Sequence, residues 1–447
     1  MEKLFSHFEG DISMVLLPIH FIKDAARSVK RICKCEFTNA IDSKLTEFLG
    51  LPSLVVNMYS LRREGKHEVL HLWCGHRTDI AFCPSCMNIS ESIHAEKHRC
   101  IRHLDIWAKK TFLHFMSRRF KCEQCGKVFT EQLQFAEERR RQTIAFEEHI
   151  YESCSKSNRK KVAKQADLSQ STVRDIFNRI AKSKVNYSQN VLTRILGVDE
   201  ISLKKRHKQF ALVISDIGRK CILDVLPDRK KETLEKWISG LTEQQRKAIH
   251  WVSIDMWAPY YQAASKKLPH AKVVVDRFHI MKHLNERIGQ IRKKLQRNTK
   301  DEAVKAAMKG SRWILVRNRE DLSSQDEKKL QEILKLYPEL RAMYLLKEEF
   351  RLIFEKVNTR EKAKRFLQAW IQKALHTGNM FLARFVKTLN NWLPQILNYF
   401  IERVTNGFVE GLNGAIRSII RRAFGYRNFQ DFKFQVFTEQ GIHTNPR

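Results

Sequence analysis

The chain has 447 residues, 43% of them hydrophobic, with 82 Lys and Arg against 49 Asp and Glu and a formal net charge of +33. That apolar content fits globular domains rather than wholesale disorder, and no run of about 18 apolar residues exists to cross a membrane. A cation excess of this size repels itself unless a polyanion is the usual partner, so nucleic acid is expected and a membrane surface is the weaker alternative.

The N-terminus, MEKLFSHFEGDISMVLLPIHF, lacks a basic segment, apolar core and cleavage site in that order. No signal peptide is expected there, and the location expected is intracellular. Residues 1–70 form a segment of unclear role that includes Cys33 and Cys35, an unassigned pair. From 71 to 135 the chain is rich in Cys, His and aromatics, with Cys83/Cys86 in AFCPSCMN and Cys122/Cys125 in FKCEQCGKVF. Tetrahedral zinc takes four soft ligands, and two Cys-x-x-Cys knuckles supply them. Residues 87–121 between the pairs exceed the usual ribbon spacing of about 15–20, so an inserted hairpin or strand pair is expected. Cys74, His76, His94, His98, Cys100 and His103 are the other candidate ligands nearby. A redox dithiol lacks a thioredoxin-like context. Cys100, Cys154 and Cys221 stand alone, as ordinary buried thiols do.

Residues 136–190 are expected to be helical. KKVAKQADLSQSTVRDIFNRI has apolar positions at Val162, Ala163, Ala166 and Leu168, then Val173, Ile176, Phe177 and Ile180, with Ser169 as an N-cap between them. A short helix, a tight turn and a second helix exposing Gln170, Ser171, Thr172, Arg174 and Asn178 is how a helix-turn-helix presents itself to DNA. A plain helical hairpin is the alternative.

From about 191 the texture becomes strand-like: ILGVDEISL, QFALVISDI, KCILDVLP, HWVSIDMW and AKVVVDRFH. Amphipathic helices, KKETLEKWISGL and PYYQAASKKL, separate the last three, which implies a mixed sheet with helices packed on it. Residues from about 285 to 400 read as helical and very basic at their start. Asp199, Asp255 and Asp276 each end an apolar strand, where a carboxylate is costly unless a cation offsets its desolvation. Two such ends and a helical carboxylate make an oxygen cradle for two Mg²⁺ or Mn²⁺ ions, the equipment for phosphodiester cleavage. Glu410 is the third ligand expected, with Asn413 and Arg417 on the same helix face. Gly407, Gly411 and Gly414 recur along another line, and would let a backbone or a DNA strand approach.

Together these residues resemble the bacterial insertion-sequence transposases of the ISL-three family, over residues from about 70 to 435. GVDEISLKK and VSIDMWAPY look like the first two acidic motifs, DRFHIMKHLNE like the strand-to-helix signature, and KGSRWILVRNRE like a stretch of the helical insertion. TNGFVEGLNGAIRSIIRRAFGYRNF resembles the glutamate motif, and RRFKCEQCGKVFTE the zinc finger. The resemblance implies an α/β, ribonuclease-H-like catalytic domain over 191–435 with a large helical insertion, preceded by a zinc finger and a helix-turn-helix domain. It implies Asp199, Asp255 and Glu410 as the metal-binding catalytic triad, with Asp276, His279 and Asn413 supporting, and structural zinc on Cys83, Cys86, Cys122 and Cys125. The implied function is transposition: binding of terminal inverted repeats, strand cleavage, and transfer of the freed 3′-hydroxyl into target DNA. A dimer or larger homo-oligomer on double-stranded DNA, in the nucleoid-associated bacterial cytoplasm and away from membranes, is the expected setting. A DNA-binding regulator without catalysis and a structure-selective nuclease are the alternatives.

Overall fold

The computed structural model describes residues 14–16, 37–38, 49–51, 53–65, 67–184, 192–204, 209–404 and 407–441. Cys33 and Cys35 lie outside the described residues. Two compact units divide the chain, Met1–Ile180 and Ala181–Arg447.

In the first unit alternation of apolar and polar residues builds strands. Leu54, Val56, Met58 and Ser60 are buried and their neighbours are not, the period of two that a half-buried strand needs. The strands are β1 (Met14–Leu16), β2 (Phe37–Thr38), β3 (Leu54–Glu64), β4 (His67–His76), β5 (Ala81–Phe82), β6 (Ile89–Ser90), β7 (Ile93–Ile106), β8 (Lys109–Lys121) and β9 (Val128–Thr130). One sheet runs β2-β1-β3-β4-β8-β7 with β9 also on β8, while β5 and β6 pair separately. The segment break expected at residue 70 falls inside β4. The expected insertion between the cysteine pairs is the β7–β8 hairpin. It turns at Trp107 and Ala108, both at positive φ (48° and 60°), as a two-residue hairpin turn demands.

Helices begin at Ile144, later than the 136 expected: α1 (Ile144–Lys156), α2 (Arg159–Ala166) and α3 (Gln170–Lys184). Thr143 caps α1 and Asn158 caps α2, each side chain accepting from a backbone N–H. Such caps contribute about 1 kcal/mol each. Asp167 takes the left-handed conformation that stops α2, and Ser169 accepts from Thr172 N at 3.1 Å to start α3.

The second unit follows the expected order of strands, with one extra short helix. Its elements are β10 (Ile195–Lys204), β11 (Gln209–Asp216), β12 (Cys221–Leu226), α4 (Lys231–Ser239), α5 (Glu243–Ala248), β13 (Trp251–Ile254), α6 (Ala258–Lys267) and β14 (Lys272–Val275). The sheet order is β12-β11-β10-β13-β14; the first three strands are antiparallel neighbours, and β13 and β14 run parallel to β10. Gly197 in β10 sits where an added Cβ would fall 2.4 Å from Ser215 Oγ and 3.0 Å from Ile217 Cγ1, so only glycine leaves room there.

Beyond β14 come α7 (Arg277–Asn298), α8 (Glu302–Met308), α9 (Ser311–Val316), α10 (Ser324–Leu336), α11 (Pro338–Lys356), α12 (Arg360–His376), α13 (Met380–Asn391) and α14 (Leu393–Asn398). This all-helical stretch is the predicted insertion. Its core centres on Trp370, Phe350, Phe354 and Phe385, all buried and packed ring against ring. Burying such side chains contributes about 1.5–3 kcal/mol each. The chain then returns to the sheet as α15 (Gly407–Arg422) and α16 (Phe429–Gln440). Leu412, Ile416, Phe432 and Val436 pack on the sheet face that carries Ile201, Ala211 and Val213, while Leu196, Val198, Leu212 and Ile214 belong to a separate core with Leu234 of α4 and Tyr260 of α6.

Candidate functional site

The two cysteine knuckles meet. Cys83 follows β5 and Cys122 follows β8. In each turn the first cysteine's carbonyl accepts from the residue four further on, Met87 N or Gly126 N at 2.9 Å. Both of those residues have positive φ, 62° and 71°. One sulfur from each of Cys83, Cys86, Cys122 and Cys125 lies within 4.8 Å of the others, with Cys83–Cys125 at 3.6 Å and Cys86–Cys122 at 3.5 Å. The Cys122 thiol is pushed down to about 6 because the Cys125 backbone N–H points at it and outweighs burial. A thiolate is the form that binds metal. The other candidate ligands in the region are placed elsewhere: His76 Nε2 is 2.5 Å from Met116 O and His103 Nδ1 is 3.0 Å from Thr143 Oγ1. Cys154 and Cys221 are buried thiols as expected, but Cys100 is exposed on the β7 strand that carries it.

On α3, Gln170, Ser171 and Arg174 are exposed and Thr172 and Asn178 partly so. Ser171 and Thr172 hydroxyls both lie 2.8 Å from Ser169 Oγ, so they help close the turn as well as face outward. A cavity of about 740 Å³ opens beside this helix start, lined by Arg102, Lys110, Arg139, Arg140 and Arg141 along with Ser171 and Thr172.

Three aspartates form a row at the carboxyl edge of the parallel strands. Gly197 pairs Ser253 and Ile254 pairs Val275. Two residues past the first pair stand Asp199 and Asp255, and one past the second stand Asp255 and Asp276. Asp199 is not the last residue of its strand, contrary to expectation; β10 continues to Lys204. The ladder to β13 has ended by then, so Asp199 still lies at the edge of the parallel sheet. Its side chain shares a face with Ile201, the face covered by α15, and α15 brings Asn413, whose Nδ2 donates to Asp199 Oδ2 at 2.5 Å.

His279, in the first turn of α7, stands between the other two acids. Its Nδ1 is 2.9 Å from Asp255 Oδ1 and its Nε2 is 3.8 Å from Asp276 Oδ2. Neither approach is an aligned hydrogen bond, and both of those oxygens are buried without a donor. Asp276 Oδ1 meanwhile accepts from Phe278 N at 3.2 Å and caps α7. Burial, then the Asp255 charge, pushes the Asp199 carboxyl up to about 7. Burial also raises Asp276, to about 6, against the pull of His279. Burial opposes charge on His279, yet Asp255, Asp199 and Asp276 together raise it. Asp199, Asp255 and His279 offer ligand atoms within 4.8 Å of one another.

Glu410 lies in the first turn of α15 and is outside that set of three. Burial raises its carboxyl, opposed by His279, Arg417 and Lys282. Its charge is felt by Asp276. A two-ion site is wide enough for this: the ions stand about 3.5–4 Å apart, and opposite oxygens on one Mg²⁺ are about 4 Å apart. Gly407, Gly411 and Gly414 have open space where a Cβ would sit, and no part of the described chain comes within 4 Å. Backbone approach is therefore not their role. Two further residues belong to the surroundings of the acids without having stood out in the sequence. Lys282 lies one turn after His279 on α7, and the i,i+3 spacing is the signal that marks it. Tyr260 carries no such signal; its hydroxyl is buried without a partner and feels the charges of Glu200, Asp255 and Asp199.

A transposase family model matches residues 196–436, more than half of the chain. The chain belongs to the ISL3 transposase family. A model described as the helix-turn-helix domain of transposase family ISL3 matches 131–181, and a zinc-finger of transposase IS204/IS1001/IS1096/IS1165 matches 79–125. The transposase is 28% identical over 402 residues to the transposase for insertion sequence element IS1001 of Bordetella parapertussis, covering 89% of this chain and 98% of that one. It is 25% identical over 353 residues to the transposase for IS1557 of Mycobacterium tuberculosis, covering 74% and 78%. The transposase is thus a DNA-binding, DNA-cleaving and strand-transferring enzyme of mixed α/β fold. Its family chemistry calls for a divalent metal, and its four-cysteine cluster suits zinc. Among the described residues no helix is long and apolar enough to cross a membrane.

Proposed function

We propose that Asp199, Asp255 and Glu410 hold two Mg²⁺ or Mn²⁺ ions and that these cleave and join DNA at the ends of a mobile element. The row of three acids on neighbouring parallel strands, with α15 laid across it, carries the reading. Bound there, the ions would activate the attacking oxygen and stabilise the leaving one. Asn413 orients Asp199, and His279 holds Asp255 and Asp276 in place. Water frees a 3′-hydroxyl, which then attacks target DNA in the same site. The sheet order, with three antiparallel strands followed by two parallel ones, supports a ribonuclease-H-like domain over 191–435 with its insertion at about 285–400.

Zinc on Cys83, Cys86, Cys122 and Cys125 would shape a finger over 71–135. The helix-turn-helix at 136–190 would read the terminal inverted repeats through Gln170, Ser171, Thr172, Arg174 and Asn178, while arginines beside it take phosphates. Residues 1–70 keep no assigned role. Synapsis of two ends calls for a dimer or larger on DNA, and the setting is the bacterial nucleoid.

The test uses a labelled fragment carrying the element's own terminal repeat, with Mg²⁺ or Mn²⁺. Wild type nicks at the repeat boundary, and Asp199→Ala, Asp255→Ala and Glu410→Ala each bind the DNA without nicking it. Equal nicking by any of the three removes that residue from the assignment. Nicking that ignores the repeat would make the enzyme a structure-selective nuclease instead.

A further inference from the structure

A groove beside the carboxylate row has no part in the mechanism above. It lies between α7 and α9 within the Ala181–Arg447 unit, measures about 450 Å³, and starts at Phe278, the residue before His279. Sites that take small ligands span about 300–1,000 Å³. Its wall is mostly apolar, with Phe278, Met281, Ile288 and Trp313 among the lining residues. Phe278 is 50% and Trp313 64% exposed, a large apolar area to leave in water next to an active site. Gly289 adds nothing to the floor, with open space at its Cβ position.

Cations rim the same groove: Lys282, Arg292, Lys293 and Arg312, against one acid, Glu286. Arg312 Cζ stands 5.2 Å from the Trp313 ring centroid. Arg292 donates to the neutral Gln296 Oε1 at 3.0 Å, and its Nε is buried without a partner. Among the described residues neither arginine forms an ion pair. Burial and the charge of Arg312 hold Arg292 below its usual range. Two guanidiniums forced together on an aromatic wall lack an anion between them. Phosphate would relieve that repulsion, and a base would cover the rings. Paired bases in a duplex are already stacked, so the ligand must be unpaired.

We propose that the groove holds an unpaired nucleotide of the DNA end, its base stacked on Trp313 and Phe278 and its phosphate between Arg292 and Arg312. The inference rests on the transposase reading. It adds a site that would take hold of the strand leaving the carboxylate row and position the reacting end.

The probe is a duplex carrying the element's terminal repeat, blunt or with one unpaired nucleotide at the cleavage boundary, that nucleotide being 2-aminopurine. Wild type binds the unpaired end more tightly and changes its fluorescence. Trp313→Ala loses about 5- to 100-fold in that preference, the range of one base–aromatic stack, and loses the fluorescence change, while Trp313→Phe keeps both. Trp313 is exposed, so neither variant threatens the core. An equal preference and signal in Trp313→Ala overturns the inference, as does a wild type with no preference for the unpaired end. Either result leaves metal-dependent nicking of the paired repeat intact, whereas failure of the transposase reading would abolish that nicking as well.

Discussion

Asn413 Nδ2 donates to Asp199 Oδ2 at 2.5 Å, joining residues 214 positions apart. This bond fastens the helix that carries Glu410 to the central strand, so the distance between the first and last acids depends on it. Asn413 is itself 2% exposed, and its Oδ1 has no partner among the described residues.

Asn413→Ala is expected to weaken metal use rather than DNA binding. Residues that orient metal ligands are worth about 10- to 100-fold in metal affinity or activity, so the Mg²⁺ concentration for half-maximal nicking should rise by that order. Asn413→Asp should be worse, since it sets a second carboxylate against Asp199, whose carboxyl burial and Asp255 already raise. A titration of nicking against Mg²⁺ that is unchanged in both variants would remove Asn413 from the site.

One zinc per chain is expected, released with loss of local structure. Cys122→Ser should bring bound zinc well below one equivalent by a colorimetric chelator assay, because a ligand set of three thiolates holds zinc far less tightly. Hydrogen exchange should then quicken around β5, β6 and β9 first, since the small core there is Cys83, Phe120, Cys122 and Phe129. Exchange that is indifferent to chelation would argue against structural zinc.

For the helix-turn-helix, Arg174→Ala and Lys164→Ala should behave differently. If Arg174 reads a base, its removal costs about 1–3 kcal/mol and relaxes preference at one position of the repeat. If Lys164 holds a phosphate, its removal weakens binding to all sequences alike and lowers the salt slope by about 1. Binding curves on a panel of single-base variants at several salt concentrations separate them; identical profiles would mean that Arg174 reads no base.

The imidazoles on the first unit's sheet predict an acid limit to stability. His71 Nδ1 is 2.9 Å from His114 Nε2, and His114 Nδ1 is 3.3 Å from His98 Nε2. Burial, then the charges of His71, His98 and Arg62, pushes His114 down to about 4 from the usual 6.5. A histidine held low favours the folded state when neutral. Its contribution is therefore complete above pH 6.5 and is lost as the pH falls through about 4. Melting temperature should drop across that window, and His114→Gln should flatten the drop at equal zinc loading. Parallel curves for the two proteins would exclude His114 as the source.

Some of this was legible in the residues themselves. Spacing alone picked out the four cysteines, because two thiols three apart on a tight turn have few other uses. Periodicity marked the five strands and the two helices around the turn at Ser169. The hairpin turn at Trp107-Ala108 was not legible, since neither residue carries the Asn-Gly signal usual at positive φ. Nor was the late start of α1, because residues 136–143 are polar and equally suited to loop or helix.

The sequence by itself determined which side chains could do chemistry: four thiols, three acids after β-branched runs, a glutamate in a helix and a surplus of cations. Those are properties of residue type and local period, carried within a few positions. Only the tertiary structure decided which of them meet. Parallel pairing of β10, β13 and β14 sets Asp199, Asp255 and Asp276 in one row, and packing of α15 on the sheet brings Asn413 to Asp199. It also leaves the three glycines of α15 facing open space, and leaves Trp313 and Phe278 exposed in one groove. Register and packing between segments a hundred or more residues apart arise from the shared burial of whole faces, which no local pattern encodes.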